Sequence, residues 1–397
     1  MKRKLLIIAS IITLTSFASQ RANAQWTELS VPSDAGVTDA LSVNGTNLFS
    51  GTAYGGFFHS SDNGTSWAEW NGVNKGLPST SVLAIATIGT HLFAGIGGRA
   101  DSGGGVFRSS DSGASWTPTG LTNTYVYALA VIGTNLFAAT PTIYLSTNYG
   151  TSWSAVNNDN DVESFAVSGT NVFAGSSRGV LLSTDSGASW TKVNNGLTDS
   201  TVIALAASGT TIYASTGRDV FVSTNEGTRW TSVSSGLSDA YFVYALAASG
   251  TNVFAGTENG VFLSTSNGAS WVAVGTGLPA AGAPSSHIDV YSLAANNTFL
   301  FAGIYEAQVC RRPLSEMITT SAVTEAQTVS SQFQIYPNPT TGQLHIESTS
   351  NDIVITDLLG RTCMRAMSGD GTIDVSKLPQ GVYSISDGHC RSQFVKE

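Results

Sequence analysis

Apolar residues in this chain gather into short runs separated by turn residues, and the runs come in sets of four. The set around position 250 is the clearest. Val243 to Ala248 is apolar and rich in Ala, as expected of an inner strand crowded near an axis, and Ser249-Gly250-Thr251-Asn252 reads as a turn. Val253 to Thr257 and Val261 to Thr265 read as the second and third strands. A turn containing Gly268, free to take a positive φ, leads into a fourth strand that begins at Trp271.

The set repeats. Trp residues stand at 26, 67, 116, 153, 190, 230 and 271, spaced by 37 to 49 residues, with Trp70 outside the series. Six of them end a shared word, S-x-(D/N/S)-x-G-x-x-W, which begins at Ser60, Ser109, Ser146, Ser183, Ser223 and Ser264. Its third position holds Asp62, Asp111, Asn148, Asp185, Asn225 or Ser266, side chains able to accept hydrogen bonds from turn amides, so these six are structural candidates. A second phrase, clearest in Ser249 to Gly256 and Ser168 to Gly175, recurs in every unit with substitutions. Four strands in about 40 residues is the size of a propeller blade.

A ring of blades has to close. After the sixth word the chain supplies Val290 to Ala294, Phe299 to Gly303 and Gln308 to Arg312, three strands without a word or a Trp. Gln25-Trp26-Thr27-Glu28-Leu29 has the composition of the missing fourth strand, and Trp26 keeps a spacing of 41 to Trp67. The expected fold is therefore all-β: a seven-bladed β-propeller over residues 25–314 whose last blade is closed by the N-terminal strand, leaving no free sheet edge. A Ser/Thr/Ala/Val-rich linker at 315–331 follows. Residues 332–397, short alternating strands between Gly and Pro turns, predict a small C-terminal β-sandwich.

The S-x-D-x-G-x-x-W word resembles the Asp-box (BNR) repeat of sialidases, sortilin-type receptors and xyloglucan hydrolases, and the whole unit resembles the propeller family of the photosystem II assembly and stability factor. That resemblance implies that the boxes are structural and face away from the binding surface. In the C-terminal region, Tyr336-Pro337-Asn338-Pro339 with Gly342, Asp357-Leu358-Leu359-Gly360-Arg361 and Leu378-Pro379-Gln380-Gly381-Val382-Tyr383 resemble the type A sorting domain of the type IX secretion system of Bacteroidota. It implies the secretion machinery as a partner, and delivery to the cell surface or the medium.

The other end of the chain agrees with export. Lys2, Arg3 and Lys4, an apolar run from Leu5 to Ala18, and Ala22-Asn23-Ala24 read as a signal peptide over residues 1–24, cut before Gln25. The run is too short for a transmembrane anchor, and no later segment reads as a membrane span. Cutting there leaves 14 of the 18 basic residues against 27 acidic ones, with no Lys/Arg cluster, which argues against nucleic acid as a partner. Only 11% of residues are charged, so the surface is largely uncharged and polar. Of three cysteines, Cys363 and Cys390 are placed to pair, and Cys310 reads as a buried hydrophobe.

Propeller ligands usually meet the loops between second and third strands and the links between blades. On this chain those segments carry the ligand-binding candidates Arg99, Arg178, Arg218, Tyr54, Tyr125, Tyr241, Glu258 and Asp289. Short loops suit a shallow platform for an extracellular glycan, peptide or protein, which is the preferred function, without catalytic residues. The alternative is a sialidase-like glycoside hydrolase using Tyr305 as nucleophile and Glu306 beside it, with the loop arginines on a substrate carboxylate. Against it, no Arg occurs between Arg21 and Arg99, where sialidases place their marker arginine. Asn157 to Asp161 with Glu163 offers oxygens for calcium, but the EF-hand spacing is missing, so no metal or other cofactor is expected.

Overall fold

The computed structural model describes residues 25–29, 31, 36–68, 75–97, 103–157, 161–237, 240, 242–279, 287–305 and 308–318. In the C-terminal region it describes 335–336, 340–346, 352–357, 362–367, 372–386 and 391–396. The signal peptide and most of the linker lie outside these, as does Cys390 and hence its pairing with Cys363. Two compact units result, Met1–Ile318 and Thr319–Glu397.

Seven antiparallel sheets make up the first unit, as the repeat predicts. Blade 1 comprises Thr38–Asn44, Asn47–Thr52 and Gly56–Ser60. Blade 2 begins at Val82–Ile88, blade 3 at Ala128–Ile132, blade 4 at Val162–Ser168, blade 5 at Ala204–Ser208 and blade 6 at Val243–Ser249, each a sheet of four strands in chain order. Blade 7 takes Val290–Ala295, Phe299–Ile304 and Val309–Pro313 from the end of the unit. Its fourth strand is Thr27–Leu29, paired Thr27 to Arg311, Glu28 to Cys310 and Leu29 to Val309. The ring therefore closes on the N-terminal strand, and a helix at 314–318 buries Met317 against the same blade.

The packing explains the repeated words. The Phe of the second strand is fully buried in blades 2, 3, 4, 6 and 7 as Phe93, Phe137, Phe173, Phe254 and Phe301, and Tyr213 takes its place in blade 5. The Gly two residues later is a point of close approach. A Cβ on Gly256 would lie 2.8 Å from Val290 of the next blade, and one on Gly303 would lie 2.5 Å from Thr38. At these two contacts the bare Cα makes room for the inner strand of the next blade, while Ala139 and Ser215 hold the equivalent place in blades 3 and 5.

In four of the seven blades a Trp side chain ties the blade to the one before. Trp230 Nε1 donates to Val193 O (2.6 Å) and Trp271 Nε1 to Val233 O (2.6 Å), each acceptor standing three residues after the preceding Trp. Trp153 reaches the corresponding Thr119 through its hydroxyl at 3.2 Å. Trp26 makes the closing member of the series with Val274 O at 2.8 Å. Trp67, Trp116 and Trp190 bury Nε1 without an acceptor among the described residues. The residue three after Trp67 is Trp70, the one Trp outside the periodic series.

The second unit is a sandwich. A three-stranded sheet, Ile335–Tyr336, Gln343–Ile346 and Thr372–Asp374, and a four-stranded sheet containing Asp352–Asp357, Thr362–Met367, Gly381–Ser386 and Arg391–Lys396 share one core. Leu344 and Ile373 of the first meet Ile353, Ile355, Ile385 and Phe394 of the second in it.

Candidate functional site at the mouth of the ring

The two ends of the propeller differ in chemistry. At one end lie the six boxed turns, each closed on itself. In the first, Ser60 Oγ donates to Asp62 Oδ1 (2.8 Å) and accepts from Gly64 N (2.7 Å), while Asp62 accepts from Ser66 N (2.8 Å) and Ser66 Oγ (2.6 Å). Asp111 and Asp185 repeat this set, and Asn148 and Asn225 accept from the amides of Ser152 and Arg229. Ser266 is the weakest member, with hydroxyl contacts of 3.4 and 3.5 Å to Ser264 and Ser270. Hydrogen bonds from the serines, Ser66 and Ser189 first, hold Asp62 and Asp185 down at about 2. Asp62, Asp111 and Asp185 thus each accept three hydrogen bonds from within their own turn.

Sequence reasoning placed the positive φ of this turn on glycine. The structure puts two consecutive residues there: Asn63, Ser112, Tyr149, Ser186, Glu226 and Asn267 have φ between 54° and 61°, each followed by the box Gly at 80° to 96°. Asn suits that conformation; Tyr149 and Glu226 adopt it at a cost.

The opposite end is the mouth, where every first strand begins. In blades 1, 2, 4, 6 and 7 the register slips by one residue just inside the first strand, leaving Asp39, Leu83, Glu163, Tyr244 and Tyr291 as the extra residue of a β-bulge. Tyr127 and Ile203 hold the matching place in blades 3 and 5, with their amides bonded to Ala139 O and Ser215 O. A bulge re-aims a side chain out of the pleat. Seven equivalent positions around the mouth thus carry two acids, three tyrosines and two aliphatics. This ring was missed in the sequence, although the frame was visible: Thr38 or a Val, the variable residue, then Ala or Ser, in all seven blades.

Around blades 6, 7 and 1 the ring becomes a cluster. The Tyr244 and Tyr291 rings lie 4.9 Å apart, and Phe242 is 4.9 Å from Tyr244 on its other side. Tyr244 OH donates to Glu258 Oε1 at 3.1 Å, and Tyr291 OH to Asp289 Oδ2 at 3.2 Å. Burial first, then the neighbouring acids, pushes Tyr291 up to about 12, and Tyr244 moves further in the same direction. Asp39 is half-buried and, by desolvation, lifted to about 6. Across the ring, Tyr127 stacks on Tyr125 at 5.8 Å, close enough to Asp161 and Glu163 for their charges to raise its hydroxyl pKa behind the larger effect of burial.

The described candidates from the sequence divide. Tyr54, at 75% exposure, caps the blade 1 turn over Gly36, and Tyr305 is 42% exposed at the end of the second strand of blade 7. Glu258 and Asp289 enter the aromatic cluster, and Tyr125 the facing pair. Arg218 lines a cleft of about 680 Å³ with Phe242 and Glu258, whereas Arg178 sits in its own blade's turn and does not line it. Arg99, Tyr241, Glu306 and Asp159 lie outside the described residues. Among the described residues no group of His, Cys, Asp and Glu could hold a metal ion, and no helix is long and apolar enough to cross a membrane.

Comparison with known proteins places both units. Residues 334–396 match the secretion system C-terminal sorting domain, and residues 171–309 match the DUF6242 beta propeller domain. No curated protein matches the chain in sequence. Among solved structures, YCF48 bound to D1 peptide is 14% identical with a TM-score of 0.58, covering 72% of this chain and 95% of that one. PorZ of Porphyromonas gingivalis, a surface component of the type-IX secretion system, is 15% identical with a TM-score of 0.50, covering 91% of this chain and 59% of that one. Virginiamycin B lyase from Staphylococcus aureus is 11% identical with a TM-score of 0.60, covering 73% of this chain and 99% of that one. A binder and a lyase on the same scaffold show the fold alone. The chain is a β-propeller joined to a secretion system C-terminal sorting domain, which sends it by type IX secretion to the cell surface or the extracellular space.

Proposed function

We propose that the exported propeller is a non-catalytic binding platform that takes an extended peptide, glycan or protein surface across its mouth. The observation that carries this reading is the bulge ring. One position, repeated around the axis, presents five residue types in seven blades, acidic, aromatic and aliphatic, while the turns at the opposite end are near copies of one another. Variation concentrated on one face of a rigid repeat is the pattern of recognition built on a scaffold. The cleft beside Arg218 is open and lined by short turns, so it suits a ligand lying across it.

Within the mouth cluster, burial with Asp289 and Glu258 raises the hydroxyl pKa of Tyr291 and Tyr244, so neither is activated as a nucleophile. The hydrolase reading rests instead on Tyr305 and Glu306, and released sugar is its test. Peptide binding by YCF48, a propeller of the same fold, supports a peptide as one ligand class. The test exposes the purified protein to arrays of peptides and of sialylated and plant-type glycans, reading retained protein by fluorescence and released sugar by mass spectrometry. Retention without release supports the platform; released sugar overturns it in favour of hydrolysis.

A further inference from the structure

We propose that the mouth between blades 6, 7 and 1, formed by Tyr244, Tyr291, Asp39, Asp289 and Glu258, receives the ammonium or guanidinium group of a basic peptide side chain. This deepens the platform reading and rests on it.

The first ground is the chemistry of the surface. Phe242, Tyr244 and Tyr291 form an arc with successive ring centroids 4.9 Å apart, and ring faces attract cations through their quadrupoles. The tyrosine hydroxyls are already spent on Glu258 and Asp289. Accepting those bonds leaves each carboxylate with free lone pairs, and neither has a cation as partner among the described residues. Arg218 lines the Phe242 and Glu258 end of this wall, so the free anionic edge lies toward Tyr291, Asp289 and Asp39, where a carboxylate or phosphate is repelled and a lysine or arginine is suited.

The second ground is Asp39. This carboxylate stands at the bulge position next to Tyr291, half-buried, with neither a hydrogen bond nor an ion pair among the described residues. A half-buried, partnerless carboxylate opposes folding unless a charge arrives to pair with it. The same bulge carries aliphatic side chains in blades 2 and 5, so the scaffold does not require an acid there. Stability given up at one point of a repeat, on the face where the repeat varies, marks a place kept for a ligand.

The third ground is contrast with the other face. The acids of the boxed turns are as numerous, but each accepts three hydrogen bonds from its own turn, whereas Glu258 and Asp289 accept one each from the tyrosines. Bulk acidity would draw a cation to either end, whereas a built site draws it to the mouth.

The test uses the full chain and four eight-residue peptides alternating Gly with Lys, Arg, norleucine or Glu, with binding measured by calorimetry at physiological ionic strength. Lys and Arg peptides are expected to bind at least about tenfold more tightly than norleucine or Glu peptides. Asp39→Asn combined with Tyr291→Leu should weaken the Lys peptide by about tenfold, Tyr291→Phe by less than about threefold because the ring is kept, and Glu226→Gln on the box face not at all. Circular dichroism confirms that each variant is folded, and the single change Asp39→Asn, which removes a buried charge, carries the test if the double variant is not. Norleucine binding as tightly as Lys, or Glu226→Gln weakening as much as Asp39→Asn, overturns the cation site while leaving the platform standing. No retention of any peptide or glycan by the parent overturns both.

Discussion

Trp26 Nε1 lies 2.8 Å from the carbonyl oxygen of Val274, a residue 248 positions later, and the same oxygen accepts Arg312 Nη1 at 2.8 Å. The first strand of the chain and the last strand of the ring thus converge on one carbonyl of blade 6. Arg312 is 4% exposed, and its buried guanidinium has its pKa lowered by desolvation.

The latch series makes a graded prediction. Trp26→Phe removes a buried hydrogen bond, whereas Trp190→Phe removes an indole N–H that has no acceptor. Both lose similar volume, so Trp26→Phe should be the more destabilising by about 1 kcal/mol. Deleting Gln25 to Leu29 opens the ring and should lower stability far more. Differential scanning calorimetry of the three variants checks the order; a deletion that melts like the parent removes the closure.

Ser50 is a fault in the repeat. Its hydroxyl is buried without a partner among the described residues, and the equivalent residues of the other blades are Ala94, Ala138, Ala174, Ala214, Ala255 and Ala302. Ser50→Ala should stabilise the propeller by about 1–2 kcal/mol, a rise of about 2–4 °C in Tm. A fall in Tm would show that the hydroxyl is satisfied.

The left-handed position of the boxed turn gives a second stabilising change. Glu226 sits at φ 56° with an exposed side chain, in the place that Asn63 and Asn267 fill in other blades. Glu226→Asn should raise stability by several tenths of a kcal/mol up to about 1, read in urea unfolding.

The pH dependence has two limbs of opposite sign. Asp39 is raised from an ordinary 3.8 to about 6, so the folded state holds its proton more tightly than the unfolded chain, and stability falls as pH rises through that window. The penalty is complete above pH 6 and amounts to about 3 kcal/mol at most. Burial alone accounts for the rise at Asp39, with no charged neighbour contributing, and its own charge bears on Tyr291 of the next blade. Asp39→Asn should therefore raise Tm at pH 7.5 and leave it unchanged at pH 3.5. Asp62 and Asp185, held at about 2, act the other way: their stabilisation is present above pH 4 and lost as pH falls towards 2. Thermal melts of the parent and Asp39→Asn from pH 2 to 8 separate the limbs.

What the sequence made legible follows from what repeats. Period, Trp spacing and the unpaired set Gln25 to Leu29 were enough to count seven blades and close the last, because closure is a matter of strand number. The bulge was not legible, since one extra residue inside an Ala-rich apolar run changes no pattern of hydrophobicity. With it went Tyr244 and Tyr291, which fall inside the strands Val243 to Ala248 and Val290 to Ala294 although the slip turns them to the mouth, and Asp39 at the same place in blade 1. The arginines were chosen because they recur at equivalent turns. Equivalence in sequence does not fix which turns meet, and Arg218 enters a cleft that Arg178 does not line.

The most direct test of the mouth as the binding face is hydroxyl-radical footprinting of the tyrosines, with and without whichever ligand the arrays retain. Tyr127 and Tyr305 are 41% and 42% exposed at the mouth, and Tyr149 is 37% exposed in a boxed turn at the other end, which makes it the internal control. Protection of Tyr127 or Tyr305 with Tyr149 unchanged is the expected result; protection of Tyr149 with both mouth tyrosines unchanged contradicts it.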